Sequence, residues 1–303
     1  MTNLVVLVVC FALGIWLHHS GRMPEDAHKV LNAFIINIAL PALILRHIPT
    51  LRLDGHILLP ALMPWLLFAL GAGFFLTLGR IWGWSRQTVG GLILSGGLAN
   101  TSFVGLPMIE TFYGPAYLSV GIIADQLGTY MVLSTLGVLV ATLCSASGAH
   151  LGMAELARRV VSFPPFLALV LGLTLIPFHQ PEVVVATLDR LGGTLAPIAL
   201  VSVGYQLRLG ELNGSTRDLA AGLFFKLLLG PALVAVLLVL GLGAAGKVIQ
   251  VTIFEAAMGP QIGGAIVAIQ HGLNPRLVTL MVGIGIPLSF ATAVAWFWLL
   301  EGL

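Results

Sequence analysis

Apolar residues in this chain do not recur with the 3.6-residue period of a helix that has one wet face. They come in long runs, separated by short clusters of Arg, His, Asp, Gly and Pro. About 20 apolar residues, rising 1.5 Å each, cross the hydrocarbon of a bilayer. Ten runs approach that length, at about 3–19, 28–48, 56–79, 88–112, 115–146, 160–178, 184–207, 217–241, 246–271 and 276–301. They predict an all-α integral membrane protein of ten transmembrane helices. The first run, NLVVLVVCFALGIWL, has no basic residue before it, and His-His-Ser-Gly-Arg follows it instead of a small-x-small cleavage site. It reads as a retained helix, not a signal peptide. An even number of spans puts both termini on one side.

Basic residues choose that side. One set of loops holds nine: Arg22, Lys29, Arg80, Arg86, Arg158, Arg159, Arg208, Arg217 and Arg276. The opposite set holds four, Arg46, Arg52, Arg190 and Lys247, and Lys226 falls inside a span. The richer side is cytoplasmic, so both termini face outward. Ten spans divide into two halves of five, 1–147 and 160–303, joined by a short linker at 148–159. An odd number per half forces homologous halves into opposite orientations. Corresponding runs are weakly alike: NAFIINIALPALIL with RLGGTLAPIALVSVG, each centred on a proline (Pro41 and Pro197), and ILSGGLANTSFVGLP with IFEAAMGPQIGGAIV.

Composition closes other readings. Of 303 residues, 58% are hydrophobic and 9% charged, too few charges for the surface of a soluble domain. Fourteen basic against twelve acidic residues leave no field for nucleic acid. Cys10 and Cys144 both lie in apolar runs, so neither a disulfide framework nor a metal site is expected, and no cofactor motif occurs. His18, His19 and His28 share a loop with Glu25 and Asp26, which reads as a solvated loop before it reads as a metal site. GxSxG, HExxH and the GxxxxGK[ST] phosphate loop are all missing. The chain is not expected to be an enzyme.

Two runs are interrupted by polar residues and glycine: GLILSGGLANTSFVGLPMIETFYG at 91–114 and IFEAAMGPQIGGAIV at 253–267. In hydrocarbon each unpaired backbone group costs several kcal/mol, so broken helix survives only inside protein or beside a watery cavity. Broken ends also expose helix dipoles, N-termini attracting anions and C-terminal carbonyls cations. Asn100, Thr101 and Ser102 supply hydrogen-bonding side chains at the first break. Gly259, Pro260, Gln261 and Gly263 form the second, with Gln261 its polar side chain. Pro107 is expected to make the first break, and Gly105 to let the crossing backbone come close. A kink used only for packing is the competing reading. Two interrupted spans at corresponding positions of two halves favour a transporter binding site.

Three charges fall well inside spans: Asp125, Lys226 and Glu255. Arg46 and Glu110 lie near enough to span ends to snorkel. A buried ionisable group in a membrane is a functional candidate by default. Asp125 or Glu255 is a candidate proton carrier; either is equally a Na⁺ ligand together with carbonyls of the break. Lys226 either neutralises one of them in a structural ion pair or serves as countercharge to an anionic substrate. Asp125 adjoins Gln126, and Glu255 precedes Pro260 of the second break by five residues.

The segment LANTSFVGLPMIETFYG resembles a helix 4 motif of the auxin efflux carrier family, within the bile-acid/arsenite/auxin transporter superfamily. GPQIGG at 259–264 is similar to that family's helix 9 segment. NIALPALIL at 37–45, LAPIALVSVGYQL at 195–207 and KLLLGP at 226–231 look like its helices 2, 7 and 8. The resemblance implies two inverted five-helix repeats, with helices 4 and 9 crossing at Pro107 and Pro260. It implies a scaffold of helices 1, 2, 6 and 7, and a transport domain of helices 3–5 and 8–10 that moves as an elevator. Members carry organic anions, auxins in plants and malonate or related carboxylates in some bacteria. Asn100 matches the family's crossover asparagine, and Gln126 takes the place of a helix 5 glutamine near the substrate carboxylate. Plant members often have a long hydrophilic loop where this chain has ASGAHLGMAELARR. The chain therefore looks like the compact bacterial branch, in the inner membrane, and auxin itself is a doubtful substrate. H⁺ or Na⁺ is the expected coupling ion, an uncoupled channel is the alternative, and a homodimer is expected from the resemblance alone.

Overall fold

The computed structural model describes residues 2–50, 58–145, 158, 161–176, 178, 180–206 and 216–303. The linker at 148–159, except Arg158, and the basic residues Arg52, Arg159 and Arg208 lie outside the described residues. Among the described residues the chain is helical, and the only strand-like pairing is one isolated bridge. The helices are α1 (Thr2–His19), α2 (Ala27–Thr50), α3 (Leu58–Trp82), α4 (Arg86–Gly96), α5 (101–112), α6 (Pro115–Cys144), α7 (Pro164–Thr174), α8 (Glu182–Tyr205), α9 (Thr216–Gly241), α10 (Lys247–Ala256), α11 (Ile262–Gln270) and α12 (Pro275–Glu301). Six of them, α2, α3, α6, α8, α9 and α12, are long and apolar enough to cross a membrane. This is an all-α, multi-pass membrane protein.

Several prolines sit inside these helices; Pro64 and Pro287 lie within continuous α-helix, while at three others the backbone answers in one way. Pro41, Pro107 and Pro231 each lie two residues after a five-residue π turn, at Ile35–Ala39, Thr101–Gly105 and Phe225–Leu229. A proline ring collides with the carbonyl four residues earlier and offers it no N–H. A widened turn just before the ring moves that carbonyl aside, so the helix continues instead of ending.

Small residues then set which helices touch. Gly14 of α1 and Gly204 of α8 face each other, each lying where the other's helix brings a backbone carbonyl, so these two axes approach closely. α2 packs on α7 and on α8. Arg46 of α2 reaches Asp189 of α8, Nε to Oδ1 at 2.7 Å. A second set gathers α3 against α6, α4, α9 and α10, with α12 against α4, α9, α10 and α11. Phe74 and Phe75 of α3 hold Phe225 of α9 between them, with ring centroids 5.0 and 5.1 Å apart. At the start of α4, Ser85 caps the helix by accepting the Thr88 N–H at 3.1 Å. Asn274, in the left-handed conformation at the start of α12, accepts from Leu277 N–H and donates to Thr88 Oγ1 at 2.9 Å. The first turns of α4 and α12 are thereby locked together, which fixes the approach of α4 to its break.

Candidate functional site

The two interrupted runs are each two helices. α4 stops at Gly96 and α5 starts at Thr101; α10 stops at Ala256 and α11 starts at Ile262. Backbone freed by one break is satisfied by the other. The Asn100 N–H donates to the Gly259 carbonyl at 2.9 Å, and the Gln261 N–H donates to the Ser95 carbonyl at 3.2 Å. Ala99 and Pro260 face each other in an antiparallel bridge between them. Groups that would cost several kcal/mol each in lipid are thus paired inside protein. Beyond the bridge α11 crosses α4 at Gly264, where a side chain would run into the Leu94 carbonyl. Gly263 donates its N–H to Gln261 Oε1 at 2.8 Å, so the glutamine side chain caps α11.

The crossing point differs from the expected one. It lies at Ala99 and Pro260, not at Pro107 and Pro260. Pro107 occupies the second position of the resumed α-helix Leu106–Phe112, where its missing N–H is absorbed by the π turn before it. The break falls instead on Gly97, Leu98, Ala99 and Asn100, because two adjacent glycines at 96 and 97 weaken the helix before any proline is reached.

Around the start of α5 the polar side chains converge. Asp125 sits on the π turn Ala124–Tyr130 of α6. Its Oδ1 accepts from Thr101 Oγ1 and from Ser102 Oγ, both at 2.5 Å, and its Oδ2 accepts from Gln126 Nε2 at 2.7 Å. Asn100, Thr101 and Gln126 are fully buried, and Asp125 is nearly so. The carboxyl group therefore faces the first turn of α5, where the helix dipole favours negative charge. Asn100 Oδ1 caps that turn through the Phe103 N–H at 3.2 Å, while its Nδ2 has no protein acceptor. Gln126 Oε1 likewise has no protein donor. Three of the five side chains expected at a substrate site, Thr101, Ser102 and Gln126, are thus brought to one carboxylate, while Asn100 caps α5 beside them and Gln261 caps α11 at the crossing.

Lys226 and Glu255 take different places. Lys226 is fully buried on the π turn Phe225–Leu229 of α9, and its Nζ donates to the Ala256 carbonyl at 2.7 Å. It holds the C-terminal end of α10, where the dipole favours a cation. Of the two readings of Lys226, a direct ion pair with Asp125 or Glu255 is not formed, since no carboxylate oxygen of either lies within 4.0 Å of its Nζ. Its bonded partner is instead the helix-end carbonyl, one residue beyond Glu255.

Glu255 is fully buried on α10, and neither of its carboxyl oxygens has a hydrogen-bond partner in the protein. Its carboxyl group lies on two glycines. A Cβ added to Gly105 would stand 2.6 Å from Oε1 and 2.7 Å from Cδ, and one added to Gly121 would stand 2.9 Å from Oε1. Gly105 therefore makes room for a side chain, not for crossing backbone. Gly121 was missed in the sequence, where nothing distinguishes it from the packing glycines of SVGIIAD. A cavity of about 210 Å³ opens beside α5, between Pro107, Glu110 and Thr111 on one side and Gly193, Ala196 and Pro197 of α8 on the other. Glu110, expected at an interface, lines it.

A family model described as "membrane transport protein" matches residues 1–151 and 145–297. An uncharacterized transporter of Methanothermobacter thermautotrophicus is 28% identical over 303 aligned positions, covering 97% of this chain and 96% of that protein. An uncharacterized transporter of Methanocaldococcus jannaschii is 23% identical over 319 positions, covering 99% and 98%.

Proposed function

The chain belongs to the membrane transport protein family, the family its motifs resemble as auxin efflux carriers, and on that premise we propose that it is a secondary transporter of small organic anions such as malonate or auxin-like carboxylates. In this reading α4 with α5 and α10 with α11 are single interrupted spans. The chain then makes ten spans in two inverted repeats, 1–147 and 160–303, with both termini outside a bacterial inner membrane. α1, α2, α7 and α8 are the scaffold, and α3–α6 with α9–α12 the elevator that carries the site.

One observation carries the reading: the donors that would hold a carboxylate substrate are gathered on Asp125 at the start of α5. A hydroxyl has a single proton to donate. While Thr101 and Ser102 donate to Asp125, they cannot donate to a substrate anion, and two carboxylates would repel each other there. A proton on Asp125 removes that repulsion and frees the hydroxyls. Anion and proton would then enter together, which is coupling. Asn100 Nδ2, already without a protein acceptor, is the donor available first.

A second reading rests on the same oxygens. One carboxylate and two hydroxyls converge within a helix turn, a donor set that suits a hard cation such as Na⁺. An uncoupled facilitator would use the site with neither ion. Purified protein in liposomes, offered malonate, other small carboxylates and indole-acetate under separately imposed H⁺ and Na⁺ gradients, divides the three. Accumulation driven by H⁺ supports proton coupling, and accumulation driven by Na⁺ supports the second reading. Uptake only down the anion's own gradient supports a facilitator. No carboxylate uptake under any gradient overturns the proposal.

A further inference from the structure

A groove of about 610 Å³ opens on the outside of the helix bundle between α3, α4 and the last turns of α6. Its size is that of a ligand site, for which about 300–1,000 Å³ is usual. It shares no lining residue with the crossover site, and the proposed transport mechanism does not use it. Leu76, Ile93, Val140 and Leu143 line its length, and Leu76 and Leu143 are exposed. Along α3 it runs from Ala72 to Arg80, about 12 Å at 1.5 Å per residue. At one end stand Arg80, in the last turn of α3, and Arg86, in the first turn of α4.

Both arginines are exposed, and among the described residues neither has a carboxylate within 4.0 Å. The nearby acidic group, Asp218, accepts from Trp84 Nε1 at 2.7 Å. Arg217 lies over the Trp82 ring, 3.5 Å from its centroid. Two tryptophans and three arginines thus mark this end as the interfacial level of the membrane, on the side richer in basic residues. A greasy channel facing lipid, closed at headgroup height by two unpaired guanidinium groups, has the charge and polarity profile of one amphiphile.

We propose that this groove is a binding site for an anionic phospholipid, whose acyl chain lies along Leu76, Ile93 and Val140 and whose phosphate is held by Arg80 and Arg86. Guanidinium is suited to the task because its planar fork matches phosphate oxygens in pairs. A zwitterionic lipid would fill the same channel with less gain at the headgroup.

The test is lipid retention by the purified full chain in mild detergent. Phosphatidylglycerol and phosphatidylcholine are titrated separately and read by native mass spectrometry and by the unfolding temperature. Wild type is expected to hold one phosphatidylglycerol in preference to phosphatidylcholine and to unfold at a higher temperature with it. R80Q/R86Q is expected to lose roughly thirtyfold in phosphatidylglycerol affinity, two basic residues at about 1 kcal/mol each, with phosphatidylcholine binding unchanged. R80K/R86K keeps the charge and should keep most of the preference. Val140→Trp, which fills the channel, should lower retention of both lipids. Equal retention of phosphatidylglycerol by R80Q/R86Q and wild type overturns the proposal, as does a wild type with no preference between the lipids. The unfolding temperature in phosphatidylcholine checks that each variant is folded.

Discussion

Gly105→Ala adds one methyl group at the point where Glu255 rests, and its sign can be worked out before the experiment. In a helix interior alanine is worth about 0.5–1 kcal/mol over glycine, because the unfolded chain loses less freedom. Against that, the new Cβ would stand 2.6 Å from Glu255 Oε1 and 2.7 Å from Cδ, closer than real atoms pack. The carboxyl group already rests against the bare backbone of Gly121 on its other side, and it cannot swing out to water, since Glu255 is fully buried. Forcing extra volume into such a core costs typically 1–3 kcal/mol. Overpacking wins, and Gly105→Ala should destabilise by about 1–2 kcal/mol. In a chain of this size that lowers the unfolding temperature by several degrees.

Gly73 in α3 is the matched control. A Cβ there would meet nothing within 4 Å, so Gly73→Ala should be neutral or stabilise by up to about 1 kcal/mol. The same added methyl group thus carries opposite expected signs at the two positions. A double-mutant cycle isolates the cause. In a Glu255→Ala background the carboxyl group is gone, and Gly105→Ala should no longer destabilise, giving a coupling energy of about 1–3 kcal/mol. Unfolding in detergent, followed by fluorescence or calorimetry, measures all five proteins. If Gly105→Ala is as stable as Gly73→Ala, or destabilises equally with and without Glu255, the carboxyl group does not rest on Gly105.

Three other outcomes follow from the same geometry. Asp125→Asn should leave the protein folded but abolish anion accumulation driven by a pH gradient in liposomes; normal accumulation would end the proton-carrier reading. Lys226→Met keeps the side-chain volume but leaves the Ala256 carbonyl without a donor in a buried site, so unfolding measurements should show a loss of about 1–3 kcal/mol. Arg46→Ala breaks the pair with Asp189, whose side chains are 28% and 50% exposed, and should change stability by less than about 1 kcal/mol, because solvent screens such pairs.

Hydrophobic runs were enough to expect a multi-pass, all-helical membrane protein, and the polar insertions in two of those runs marked where helices break. Which residues meet at the crossing was not legible. A helix buried on one side and facing lipid on the other is apolar all round, so its pattern hides the face that packs. Ala99, the residue of the first break that faces Pro260, carries no chemistry that would distinguish it. Proline drew attention to position 107, yet a π turn absorbs it there, while two plain glycines open the helix ten residues earlier. Lys226 was visible as a charge in a span, but its partner is a backbone carbonyl, which has no letter in the sequence. The Arg46–Asp189 pair joins positions 143 residues apart and follows no local spacing.

These hidden contacts share one electrostatic logic. At the crossover two helix ends are turned toward the protein interior, and each has acquired the side chain that its dipole favours. Asp125 faces the N-terminal turn of α5, and Lys226 bonds to the last carbonyl of α10. The two breaks could not otherwise remain in a membrane, since an exposed helix end in low dielectric is a buried partial charge. Glu255 stands outside this scheme: it lies one residue before the carbonyl that Lys226 holds, yet no donor reaches its oxygens. A structural role alone would not place a carboxyl group on two glycines without partners, because an apolar residue would fill that space at lower cost. The partnered carboxylate facing the start of α5 thus has an architectural reason to be there beside its proposed part in coupling, whereas the unpartnered one against Gly105 and Gly121 has none, and its presence needs a function.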